Sequence, residues 1–285
     1  PEQKMNSIDF VILSPGVPTD LPFVVKLQEN NIPVWGEIEL AYLCGKGKLF
    51  AITGTNGKTT TTTLVGEILK KCYPEVFVAG NIGIPYTSIV EKTTEQTVTV
   101  TEISSFQLET METFHPSVSA ILNITPDHLN RHHTMANYIA AKESIVKNQT
   151  RDDLCVLNYN DEVLRAFGKT LEQKVVLFSS TETLDAGLYL QENEILWARN
   201  GKTEHIISVE ELNILGAHNY ENVMAAVALC DGMGVPMETI REGLRDFHAV
   251  EHRIEFVCKK NDIAFYNDSK GTNPDAAIKG ICAMN

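Results

Sequence analysis

The feature that most narrows the fold is the segment Ile52-Thr53-Gly54-Thr55-Asn56-Gly57-Lys58-Thr59-Thr60, set between an apolar run and a helical pattern. Residues 48–53 read as a strand and 58–71 as a helix, so the glycines fall at a strand-to-helix turn. At such a turn backbone N–H groups face an anion, and the helix N-terminus adds partial positive charge. The spacing is G-x-x-G-K-T; the longer phosphate-loop form needs glycine at position 52, where Ile52 stands. In this reading Gly54, Thr55, Asn56, Gly57 and Thr60 form the cradle. Lys58 reaches the β- and γ-phosphates of ATP, and the Thr59 hydroxyl reaches Mg²⁺.

Around this loop, strands and helices alternate. Residues 10–13, 32–35, 97–102, 120–123, 154–158 and 175–178 read as strands, with helices at 22–30, 134–148, 219–233 and 237–246 between or after them. That order predicts an α/β fold with a mostly parallel sheet covered on both faces. Residues 187–208 hold short strands split by polar turns, which predicts a small antiparallel insertion. Strands at 254–258 and 263–267 open a further unit. With 285 residues, the chain has room for about two domains of ~150 residues. Neither Pro1 nor the helix-like end at Asn285 looks like a natural terminus, so the chain reads as an internal piece of a longer protein.

Net charge is −13, which argues against a nucleic-acid surface, since phosphate neutralisation needs clustered Lys and Arg. No apolar run of about 18 residues suggests a membrane span. Cys44, Cys72, Cys155, Cys230, Cys258 and Cys282 are scattered without a C-x-x-C pair, a pattern that suits free thiols in a reducing cytoplasm.

Several polar residues fall where strands end, which is where ligands gather in such sheets. Glu102 closes the 97–102 strand and suits a hard cation, or else caps the turn Ser104-Ser105-Phe106. Asp127-His128 follows another strand; His128 is a metal ligand whose ring or water Asp127 holds, or a solvated loop histidine. Lys142 lies seven residues after Met135 on an apolar stripe shared with Tyr138, Ile139, Ile145 and Val146. Either it snorkels to the rim, or it is a desolvated amine of lowered pKa, free for chemical modification or phosphate binding. Asn219 and Asn222, one turn apart, suit a polar ligand, although Asn219 could instead be an N-cap. His252-Arg253 and Asp268-Ser269-Lys270-Gly271-Thr272-Asn273 flank the last strands and could complete a nucleotide or substrate site.

Together these segments resemble the Mur ligases, ATP-dependent amide ligases of peptidoglycan synthesis. The resemblance spans the chain through Leu13-Ser14-Pro15-Gly16-Val17, Gly36-Glu37-Ile38-Glu39-Leu40, the phosphate loop and Gly80-Asn81-Ile82-Gly83. It continues through Glu102-Ile103-Ser104-Ser105-Phe106-Gln107-Leu108-Glu109, Asp127-His128-Leu129, His218-Asn219, His252-Arg253 and the 268–273 segment. The Ser-Pro-Gly and Glu-Ile-Ser-Ser-Phe-Gln runs favour the member that joins D-glutamate to UDP-N-acetylmuramoyl-L-alanine. The loop alone would not exclude folylpolyglutamate synthase.

The resemblance implies a central ATP-binding domain over 45–251. It is flanked by the end of a nucleotide-sugar-binding Rossmann-like domain (1–44) and the start of a Rossmann-like amino-acid domain (252–285). It implies that Thr59, Glu102, His128 and a carbamylated Lys142 hold Mg²⁺. Asn81 and Ser104 then meet the muramoyl substrate, and Asn219, Asn222, Arg253 and Asp268 meet ATP. Lys270 and Thr272 face the forming bond or the glutamate, and the enzyme is expected to be a monomer. Gly271 replaces the family's usual alanine, which leaves Thr272 in register. A rival reading is a nucleotide-binding module without ligase chemistry. The joint presence of Glu102, His128 and Lys142 weighs against it.

Overall fold

The computed structural model describes residues 7–248 and 250–284. Strand β1 (Val11–Leu13), helix α1 (Pro22–Glu29) and strand β2 (Val34–Gly36) form a parallel two-stranded unit, with Val11 opposite Val34. Helix α2 (Glu37–Cys44) then leads into the main sheet. Its strands are β3 (Lys48–Thr53), β4 (Val76–Gly80), β5 (Val98–Glu102), β6 (Val118–Ile121), β7 (Leu154–Asn158), β8 (Lys174–Ser179), β9 (Gly187–Gln191), β10 (Glu194–Arg199) and β11 (Lys202–Ser208). They lie in the order β11-β10-β9-β8-β7-β6-β3-β5-β4.

Successive residues of β3 explain why this sheet needs cover on both faces. Phe50 and Ile52 pack into one core with Leu64, Val65, Ile68 and Leu69 of helix α3 (Lys58–Lys70). Leu49 and Ala51 point the other way, into a second core with Ile38 of α2, Tyr138 and Ile145. Alternate residues feeding opposite cores is the behaviour of a parallel strand buried on both sides.

The second core is closed by the short helix α4 (Ser105–Leu108), and α5 (Leu129–His132) leads into α6 (Met135–Glu143), which with α7 (Glu162–Gly168) also covers that core. The first is closed by α8 (Ala217–Gly232) and α9 (Met237–Asp246), through Val223, Met224, Val227, Ile240 and Leu244.

The antiparallel strands predicted at 187–208 are present, and they extend the sheet's edge rather than standing apart from it. β9 runs parallel to β8, with Phe178 opposite Leu188, and β10 and β11 then add antiparallel. Leu188, Ile195, Trp197, Ile206 and Ile207 bury into the same core as α8, which is why these strands stay on the sheet. The helix expected over 134–148 ends at Glu143 and tightens into a 3₁₀ turn, Ser144–Val146. The Ser144 hydroxyl donates to the Ala141 carbonyl at 2.8 Å, competing with the α-helical pattern, and two β-branched residues follow.

Beyond α9, strands β12 (Glu255–Lys260) and β13 (Ile263–Asn267) form a hairpin, followed by α10 (Pro274–Cys282). The hairpin turn uses Asn261 and Asp262 at φ +50° and +60°, the backbone that a two-residue turn requires.

β3 sits between β5 and β6, so the loops leaving all three strands open side by side at their carboxyl ends. That arrangement makes the phosphate loop the centre of the site.

Candidate active site

The loop after β3 is held open from its neighbours. Thr55 N–H donates to the Asn123 carbonyl at 2.9 Å, and Asn56 N–H donates to Asn123 Oδ1 at 2.8 Å. Asn123 Nδ2 returns a bond to the Asn56 carbonyl at 3.1 Å. Gly57 has φ +86°, and a Cβ there would lie 2.2 Å from Asn222 Oδ1. Both conformation and space therefore demand glycine at that turn. Lys58 curls back, its Nζ donating to the carbonyls of Gly54 (2.9 Å) and Thr55 (2.8 Å). Burial pulls its pKa down, opposed by the negative charge of Glu102.

Thr59, the next residue, donates its hydroxyl to Glu102 Oε2 at 2.8 Å. The other carboxylate oxygen of Glu102 accepts from Asn81 Nδ2 at 2.7 Å. Glu102 is 2% exposed and does not cap the next turn. That task belongs to Ser104, whose capping box with Gln107 starts α4. Arg253 reaches over from the far side and donates Nη2 to Thr59 Oγ1 at 3.2 Å, while its buried Nε has no partner among the described residues.

Lys142 does not snorkel. Its side chain is 1% exposed, and Nζ donates to the Gly54 carbonyl at 2.8 Å, the same oxygen that Lys58 uses. One carbonyl thus holds two amines within about two hydrogen-bond lengths of each other. Burial drives the Lys142 pKa well down, and the neighbouring Lys58 charge adds to the shift, with Asp127 opposing it. The Lys142 amine also sits 4.7 Å from the centre of the Tyr138 ring. Burial raises the Tyr138 hydroxyl to about 12, so it stays protonated and lies 3.0 Å from Thr55 Oγ1. Sequence reading took Tyr138 only as part of the apolar stripe; its position one turn before Lys142 was the available signal.

His128 is placed differently. It has φ +52°, its side chain is half exposed, and its ring lies 4.9 Å from that of Phe106. Asp127 accepts from the His128 backbone N–H at 2.8 Å, while its carboxylate stays 3.7 Å from Nδ1, so it does not hold the ring. Among the described residues, no three His, Cys, Asp or Glu side chains converge as a metal cage.

A cleft open to solvent adjoins the loop, lined by Asn56, Thr60, Asn222, Glu221, Arg253 and Asp268 among others. Asn219 also lines it and is not the N-cap, since Gly216 holds that position. Asn219 donates to the Leu215 carbonyl at 2.8 Å and accepts from Asn222 Nδ2 at 3.2 Å. Asp268 accepts from Ile254 N–H at 3.2 Å. Lys270 and Thr272 stand exposed on the turn after β13, and neither side chain is bonded to the loop. Lys58 and Lys142 thus share the Gly54 carbonyl, and beside them hydrogen bonds join Thr59, Asn81, Glu102 and Arg253; the side chains of His128, Lys270 and Thr272 belong to neither group among the described residues.

Known proteins agree with this architecture. UDP-N-acetylmuramoylalanine–D-glutamate ligase of Lachnoclostridium phytofermentans is 58% identical over 279 residues, covering 98% of this chain and 62% of that one. The enzyme of the same name from Clostridioides difficile is 47% identical, with 98% and 62% covered. The chain thus spans about 62% of the length of these relatives. Among solved structures, MurF of Thermotoga maritima in complex with ADP superposes with a TM-score of 0.66 at 18% identity, over 98% of this chain and 73% of that one. MurC of Thermotoga maritima gives 0.62 at 25% identity, over 97% of this chain and 63% of that one. No helix among the described residues is long and apolar enough to cross a membrane. Residues 52–230 match the Mur ligase middle domain, and with the phosphate loop, the parallel sheet and the buried lysine in place, the chain belongs to the Mur ligase family.

Proposed function

We propose that this chain is the ATP-binding core of a cytoplasmic, monomeric ligase that adds D-glutamate to UDP-N-acetylmuramoyl-L-alanine in peptidoglycan synthesis, and so supports cell shape and division. The observation that carries the reading is the buried Lys142 amine, which shares the Gly54 carbonyl with Lys58 beside the Thr59–Glu102 pair. A nucleotide-binding module without chemistry has no use for an amine kept out of water at that cost. Residues 1–44 would close an N-terminal substrate domain, 45–251 form the ATP-binding domain, and 252–285 begin the amino-acid domain.

The reaction is written in two transfers. The substrate carboxylate takes the γ-phosphoryl group as the bond to ADP breaks, which gives an acyl phosphate. The D-glutamate nitrogen then attacks the acyl carbon, the C–N bond forms, a proton leaves the nitrogen, and phosphate departs with the broken C–O bond. Lys58 would leave its two carbonyl acceptors to hold the phosphates. The loop N–H groups would cradle them, and Asn219, Asn222, Arg253 and Asp268 would hold the rest of the nucleotide. Asn81 and Ser104 would orient the muramoyl group, with Lys270 and Thr272 at the acceptor side.

Thr59 and Glu102 are hard oxygen donors already 2.8 Å apart, a fit for Mg²⁺, which keeps waters and takes one or two carboxylates plus phosphates. His128 and a carbamate on Lys142 would serve a second ion. The neutral Lys142 amine adds to CO₂ and releases one proton to water, which turns a buried amine into an anion. When bound, Mg²⁺ offsets the charge spread over the transferring phosphoryl group.

The test uses the full-length protein. Phosphate release from ATP is expected only with both UDP-N-acetylmuramoyl-L-alanine and D-glutamate present. Release driven by a folate and L-glutamate instead would overturn the assignment.

A further inference from the structure

Asn56 lies in the phosphate loop, yet its side chain is bonded elsewhere. Asn56 Nδ2 donates to Asp275 Oδ2 at 2.7 Å, and Asn56 Oδ1 accepts from Asn273 Nδ2 at 3.1 Å. The same Asn273 nitrogen donates to Asp127 Oδ2 at 3.2 Å, and Asn273 Oδ1 caps α10 by accepting from Ala276 N–H at 2.8 Å. Asp275 Oδ2 also pairs with Lys279 at 2.9 Å. The Asn56 backbone N–H is taken by Asn123.

A triphosphate asks its cradle only for donors, and an amide oxygen turned toward it would repel it. The residue type at position 56 is better explained by the segment after β13. That segment offers one donor, from Asn273, and one acceptor, from Asp275, and an asparagine amide answers both. Asn273 ends the 268–273 run that carries Lys270 and Thr272, so a bond from Asn273 to the loop fixes where that run sits relative to the phosphates.

We infer that Asn56 is a positioning residue. Its amide latches the start of α10 to the phosphate loop through Asn273 and Asp275, and sets the 268–273 turn over the reacting centre. What the latch serves rests on the ligase reading above; the latch itself does not.

The test is a donor–acceptor swap in the full-length protein. Asn56→Asp puts a carboxylate against Asp275 and removes the donor, so like charges face each other. Asp275→Asn in the same chain restores a complementary pair, with the new amide donating to the new carboxylate at position 56. Hydrogen exchange over 274–282 should quicken in Asn56→Asp and return toward the wild-type rate in the double variant. Loss of a charge-assisted bond of this kind predicts kcat for amide formation, read at saturating ATP, lower by about tenfold or more. The double variant should recover most of that loss.

Unchanged exchange in Asn56→Asp, or a double variant no better than the single, overturns the latch. Should Asn56→Asp fail to fold, Asp275→Ala leaves the loop untouched and must show the same faster exchange and lower kcat; if it shows neither, the latch is refuted. Exchange needs no substrate. A wild-type protein that ignores D-glutamate would therefore count against the proposed function and not against the latch.

Discussion

Lys58, Thr59, Glu102 and Lys142 hang from the nine-stranded sheet or from helices packed on it, and Glu102 and Lys142 are almost wholly buried. Arg253, Asp268, Lys270 and Thr272 belong instead to the hairpin unit of β12, β13 and α10 or to the turns beside it. The first group is fixed by two cores. The second leans on the site through a few polar bonds: Arg253 to Thr59, Asn273 to Asn56 and Asp127, and Asp275 to Asn56. A side chain bonded on a rigid floor is preorganised for chemistry, whereas one on a flap joined to the site by polar bonds contributes when the flap is seated. Substitutions on the floor should therefore strike turnover directly, and those on the flap should act through nucleotide affinity or through how the flap is seated.

The sharpest way to break this contrast is Lys142→Ala in the full-length enzyme. Removing a group that stabilises transferring charge costs on the order of 10²–10³ in kcat, with the fold retained. A short carboxylate should restore part of the activity only if an anion is what the position supplies, as the carbamate proposal requires. Near-normal turnover would remove Lys142 from the mechanism. Next in size is Glu102→Gln, which keeps the bond from Thr59 but removes the charge. It should weaken Mg²⁺ dependence by about 10- to 100-fold, read as a shifted Mg²⁺ titration rather than lost nucleotide binding.

On the flap, Arg253→Ala should raise the KM for ATP by about tenfold, the worth of one charge-assisted bond, with a smaller change in kcat. If Arg253→Ala proves as damaging to kcat as Lys142→Ala, the distinction between floor and flap fails.

How much of this could be read from the chain differs along the same line. β3, β7, β13 and α9 fall where apolar period and turn residues put them, because local pattern and tertiary burial agree there. The Lys142 anomaly was visible as a charge on an apolar stripe, but whether it snorkels depends on the Gly54 carbonyl, which is 88 residues away in sequence. Strand β4, Val76–Gly80, carries too little pattern to stand out, since Pro74 and Gly80 bound a run only five residues long. The Asn56–Asp275 contact joins residues 219 positions apart and left no local trace. Long-range polar pairing is set by topology, and no window of the sequence contains both partners.

The smallest effect concerns stability and probes the floor alone. In metal-free, CO₂-free buffer, the folded state keeps the Lys142 amine at a lowered pKa, so below the ordinary lysine value of ~10.4 the unfolded chain binds more protons at this site than the native one. Stability then rises with pH between the lowered folded value and ~10.4, and it is lost progressively as pH falls through that window. Lys142→Met has a similar shape and no proton to refuse. It should melt higher than wild type at neutral pH, by a margin that narrows as pH climbs toward the lysine range. The same substitution that raises Tm should abolish turnover, the trade expected where a site holds a group in a state its surroundings oppose. A Tm gap that stays constant with pH would mean that Lys142 is charged when folded, and the basis for its reaction with CO₂ would be gone.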